Sequence, residues 1–128
     1  MLGHRSSDLH PDVAVENARL DPAIHALTAP EVSRAGAAAM GTEAAALLRD
    51  RPAWLHLDLD VLDESELPAV SYPQPGGLDW DELVALASPL AAAPNLLGIS
   101  VADFNPEGDA DGAHATRIVG ALASILGT

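Results

Sequence analysis

The hydrophobic and polar positions alternate between two periods along the chain. Apolar residues at helical spacing recur as Val32, Ala35, Ala39, Ala46 and Leu47, then as Leu83, Leu86, Ala87 and Leu90, and again across Ala113–Leu126. Between them lie two short apolar runs with strand character, Ala53–Leu59 and Leu96–Ala102. A shorter apolar piece begins at Leu2, a short helix is predicted over Asp12–Leu20, and a short strand over Ala23–Leu27.

Local signals fix several ends. Thr28 or Ala29 opens a helix, with Pro30 in the first turn and Glu31 beside it, and this helix is predicted to continue to Arg49-Asp50. Asp79 followed three residues later by Glu82 has capping-box spacing, so a helix should run from Trp80 to about Ala92, stopped by Pro94-Asn95. The resulting order of strands and helices predicts an α/β fold: a three-layer arrangement with a mainly parallel sheet covered by helices. Ligands of such sheets bind beyond the carboxyl ends of the strands.

The strand Ala53–Leu59 has an unusual polar side. Trp54, His56, Asp58 and Asp60 are predicted to face one way, and Leu55, Leu57, Leu59 and Val61 the other. In an extended strand the carboxylates of Asp58 and Asp60 would project from one face about 6 to 7 Å apart, a spacing that suits ligands of a shared metal or of a metal pair. Solvated aspartates on a surface strand are the competing reading, but a central parallel strand is covered on both faces, and a buried carboxylate needs a compensating cation or donors. His56 is read as a supporting residue on that face rather than a ligand. Asp63 is read as a tether of the turn that follows. From Asp63 to Gly77, three prolines and two glycines exclude helix and central strand, leaving a long ordered loop of the kind that usually serves function.

Charge and composition narrow the chemistry. Six Lys and Arg against nineteen Asp and Glu give a net charge of -13 over 128 residues, which argues against nucleic acid and anionic membrane surfaces as partners. Without cysteine, metal ligands must come from carboxylates and imidazoles, which suit manganese or magnesium. No signal-like start and no apolar run of ~18 residues is present, so a cytoplasmic location is expected. The acidic loop Glu107–Asp111 is read as solvated surface, and His114 as having no catalytic part.

The run Asp58-Leu59-Asp60-Val61-Leu62-Asp63, followed by Pro68 and by Pro75-Gly76-Gly77-Leu78, resembles the late signature of the ureohydrolases: arginases, agmatinases and formimidoylglutamases. Gly98-Ile99-Ser100-Val101-Ala102-Asp103-Phe104-Asn105-Pro106 resembles that family's next strand and its Asn-Pro end, and Leu2-Gly3-His4-Arg5 with Asp8 resembles an earlier strand and its acidic loop. The resemblance implies the C-terminal portion of an arginase-like fold, with two manganese ions that activate a water against a small cationic guanidino or amidine substrate. It makes Asp58 and Asp60 metal ligands and Asp103 and Asp8 substrate-binding residues. Asp103 stands where arginases carry a glutamate, one methylene longer, so arginine itself is a poor fit.

The family's early metal motifs, an isolated histidine and an Asp-x-His-x-Asp run, do not occur in these residues. A partial domain lacking the N-terminal metal-binding half is therefore expected. Manganese binding should be weak or absent, activity low, and an open sheet edge should favour self-association into homo-oligomers. The alternative is a non-catalytic acidic module for binding or assembly derived from the same fold.

Overall fold

The computed structural model describes residues 1–5, 15, 18–48 and 50–128. Strand β1 (Leu2–His4) pairs in parallel with β2 (Leu27–Thr28). The strand expected over Ala23–Leu27 is thus shorter and later than predicted. Asp21 takes the intervening residues into a turn instead, accepting from the Ala23 amide through Oδ1 (2.8 Å) and from the Ile24 amide through its carbonyl (2.8 Å). Most of the helix expected over Asp12–Leu20 lies outside the described residues, and its last three positions form a turn and bend.

Thr28 caps the next helix as expected. Its hydroxyl accepts from the Glu31 amide while the Glu31 carboxylate accepts from the Thr28 amide (2.8 Å), and Pro30 sits in the first turn. The single helix predicted from here to Arg49-Asp50 is in fact two, α1 (Ala29–Ala35) and α2 (Ala37–Leu48). Gly36 makes the break: at φ +92° it adopts a conformation costly for other residues, and its amide closes α1 by donating to Val32 (2.9 Å).

Helix α3 (Trp80–Ala91) starts at Asp79 with the predicted capping box, and α4 (Ala113–Leu126) has the predicted bounds. A side chain at Gly41 would overlap the backbone of Leu86, so glycine is what lets α2 approach α3 closely.

Strands β3 (Ala53–Asp58) and β4 (Leu96–Ala102) pair in parallel, with His56 opposite Ser100 and Asp58 opposite Ala102. Helices α3 and α4 pack Trp80, Leu83, Ile118 and Ile125 against Leu57 and, at its margin, Leu55. The opposite face is open: Trp54 is 62% exposed, and His56 and Asp58 are exposed too. Both strands were expected to be buried, and among the described residues they are buried on one face at most. Leu97 of β4 is 72% exposed. The described strands form two parallel pairs, β1–β2 and β3–β4, rather than one continuous sheet.

The loop from Asp63 to Gly77 is ordered, as expected. Leu67, Ala69 and Val70 are buried in the main core, and bridges join Leu62 to Leu78 and Val70 to Phe104. Among the described residues, no helix is long and apolar enough to cross a membrane.

Candidate metal centre

At the carboxyl end of the β3–β4 pair the chain bends twice, and each bend carries an aspartate. β3 ends at Asp58, one residue short of the prediction, because Leu59–Val61 wind into a single 3₁₀ turn capped by Asp58, whose side chain accepts from the Asp60 amide (3.5 Å). After β4, Asp103 takes a left-handed conformation (φ +68°), alone among the described non-glycine residues, and its Oδ2 accepts from the Ser71 amide (3.3 Å). The outcome is a cluster in which Asp58, Asp60 and Asp103 each place one carboxylate oxygen within 4.8 Å of the others. Asp60 reaches it from the turn, and the expected spacing of two aspartates along an extended strand does not apply.

Electrostatics set Asp60 apart. Although the residue is solvent-accessible, its carboxyl is pushed above the usual range, first by partial desolvation and next by Asp58, with Asp103 adding to the effect and Arg5 opposing it. Three acidic oxygens at this distance repel one another, and a cation among them would relieve that repulsion. An all-carboxylate donor set is hard and suits manganese or magnesium better than softer ions.

The other predicted residues fall outside the cluster. His56 turns its Nδ1 to the Ser100 hydroxyl (2.7 Å), which also accepts from the Trp54 indole N–H (3.0 Å). Asp8 lies outside the described residues. Asp63 is a turn tether: it accepts from the Ser65 amide (3.0 Å), the Ser65 hydroxyl (2.6 Å) and the Gly76 amide (2.7 Å), and these bonds pull its pKa down to about 2. In the acidic loop, Asp109 accepts from the amides of His114 (2.9 Å) and Ala115 (2.8 Å) and so caps α4, whose N-cap position holds Gly112. His114 thus enters the structure through its backbone.

Arg5 was given no role from the sequence. Its guanidinium donates to the carbonyls of Val61 (3.0 Å), Asp60 (2.6 Å), Leu62 (2.6 Å) and Gln74 (3.2 Å). Its signals in the sequence are the scarcity of basic residues, six in all, and its place in the run Leu2-Gly3-His4-Arg5.

The chain matches known proteins over nearly its whole length. The model of the arginase family matches residues 1–127. Formimidoylglutamase of Chromobacterium violaceum is 39% identical over 73 residues, which are 57% of this chain and 23% of that protein. The arginase structure from Bacillus caldovelox superposes with a TM-score of 0.78 at 30% identity, over 99% of this chain and 42% of that one. Formimidoylglutamase from Bacillus subtilis has a TM-score of 0.82 at 24% identity, over 98% of this chain and 39% of that one, a likeness of fold. The chain therefore spans less than half the length of these relatives.

Proposed function

Because the chain belongs to the arginase family, we propose that it is the C-terminal portion of a two-manganese hydrolase acting on C–N bonds of linear amidines or guanidino compounds, inactive as these 128 residues alone. The observation that carries this reading is the convergence of Asp58, Asp60 and Asp103 at the carboxyl ends of two parallel strands. In it, Asp58 and Asp60 hold metal. A bound manganese pair would lower the pKa of a shared water and so supply a nucleophile at neutral pH.

Asp103 has a different task in this reading. A carboxylate beside the metal ligands pairs with the positive charge of an amidinium or guanidinium and holds its carbon close to them. Being one methylene shorter than a glutamate, it favours a compact head group. The names of the curated relatives point the same way, toward formimino compounds. Asp8 contributes at the far end of the substrate, and His56 supports the strand that carries Asp58.

Inactivity follows from donor count. Two ions need roughly six protein donors, and the described residues bring three carboxylates and no imidazole to the cluster. The chain alone should bind manganese weakly. A second reading, a non-catalytic acidic module for binding or assembly, draws on the exposed face carrying Trp54 and on exposed Leu97.

A chimera separates the two. Joining before Met1 the segment that precedes the matched region in the Chromobacterium violaceum relative, then assaying formamide release from formimino compounds and urea release from guanidino compounds with manganese, should give turnover. Asp58→Ala should abolish it, and the 128 residues alone should give none. A folded, manganese-loaded chimera without turnover on either substrate class would favour the module.

A further inference from the structure

The 3₁₀ turn that carries Asp60 is a weak element. Three residues close one turn through a single backbone bond, from the Leu62 amide to the Leu59 carbonyl (3.2 Å). The carbonyls that follow have no partner further along such a helix. Of these, Val61 accepts from the Leu78 amide (2.9 Å). The Asp60 and Leu62 carbonyls instead meet the guanidinium of Arg5, which takes Val61 as well and reaches Gln74 in the loop beyond.

One side chain thus joins three segments distant in sequence: the end of β1, the turn bearing Asp60 and the proline-rich loop. The approach is tight, since a Cβ at Gly3 would lie 2.6 Å from the Val61 side chain. These four bonds of Arg5 go to main-chain oxygens and leave the Asp60 carboxylate available to another cation.

We propose that Arg5 is the positioning residue of the carboxylate cluster, fixing through the carbonyls of residues 60 to 62 where Asp60 stands relative to Asp58 and Asp103. The metal half of this statement rests on the reading of Asp58 and Asp60 as ligands; the clamp on the turn does not. Lysine is a poor substitute, because its single nitrogen cannot stand at once where Nη1 meets the Val61 carbonyl and where Nη2 meets those of Asp60, Leu62 and Gln74.

The test compares wild type with Arg5→Lys and Arg5→Gln, using Arg34→Ala as a control for loss of one positive charge from the exposed end of α1. Two NMR readouts are taken on the same samples: amide hydrogen exchange, and the manganese concentration that half-broadens the amide signals of residues 58 to 60 and 103. Exchange at Leu62 and Leu78 should quicken in both Arg5 variants while α3 and β3 keep their protection. The half-broadening concentration should rise about tenfold or more, as expected for partners that orient ligands. Arg34→Ala should resemble wild type.

Unchanged exchange at Leu62 and Leu78 would overturn the proposal. So would exchange quickened equally throughout the chain, which marks a merely structural residue, or broadening at the wild-type concentration. If manganese leaves the wild type unbroadened while exchange quickens only in the turn, the clamp stands and manganese binding by these 128 residues alone falls.

Discussion

Replacing Asp63 with asparagine removes a charge while keeping nearly the same shape, at the point where the proline-rich loop leaves and returns. The carboxylate accepts from both Ser65 groups and from the Gly76 amide, and its pKa falls from 3.8 to about 2. A carboxyl depressed in the folded state contributes stability that is fully present above its unfolded pKa and is lost as pH falls through the folded one. At full strength this difference corresponds to about 2.4 kcal/mol. The group is at the surface, where solvent screening leaves about 1 kcal/mol. Urea unfolding of wild type and Asp63→Asn at a series of pH values should show the wild type about 1 kcal/mol more stable at pH 7. That margin should shrink from near pH 4 downward and close near pH 2. Taking the difference between the two proteins cancels the titration of the other acidic groups. A margin independent of pH over this range, or none at pH 7, would refute the tether.

Other perturbations address packing and association. Leu67, 0% exposed, anchors the same loop in the core, and Leu67→Ala should cost about 3 kcal/mol in urea unfolding. At Gly98 a Cβ would lie 2.5 Å from the Trp54 ring; because this indole is an exposed side chain free to move, Gly98→Ala should swing it off Ser100 and shift tryptophan emission to the red. Exposed Trp54 and Leu97 should make the chain self-associate, more so in added salt, which screens the repulsion of its -13 charge. Light scattering that gives a monomer mass at every concentration and salt level would contradict this.

Short-range signals in the sequence read well because their causes are local. Thr28 with Glu31 and Asp79 with Glu82 satisfy the first amides of helices wherever the chain goes next. The alternation of Trp54, His56 and Asp58 with Leu55 and Leu57 likewise needed only the strand period. What covers the polar face was not legible, because burial depends on neighbours that the strand does not name. Gly36 passed unnoticed within an alanine-rich run whose helical pattern continues on both sides. Asp21-Pro22 outweighed the strand propensity of Ile24. Asp60 was placed in the cluster for the wrong local reason: the strand had already ended, and a 3₁₀ turn delivers it. Arg5 was the least legible of all, since its partners are main-chain oxygens 55 to 69 positions away and carbonyls leave no mark on residue type.

In the proposed reading, Asp58 and Asp60 are two ligands of a manganese site that these 128 residues complete only in part. Calorimetric titration of manganese into the chain and into the Asp58→Ala, Asp60→Ala double variant tests it most directly. The wild type should give a weak, saturable heat that the double variant lacks, because Asp103 alone is too poor a site to replace it. Equal heats from the two proteins would contradict it.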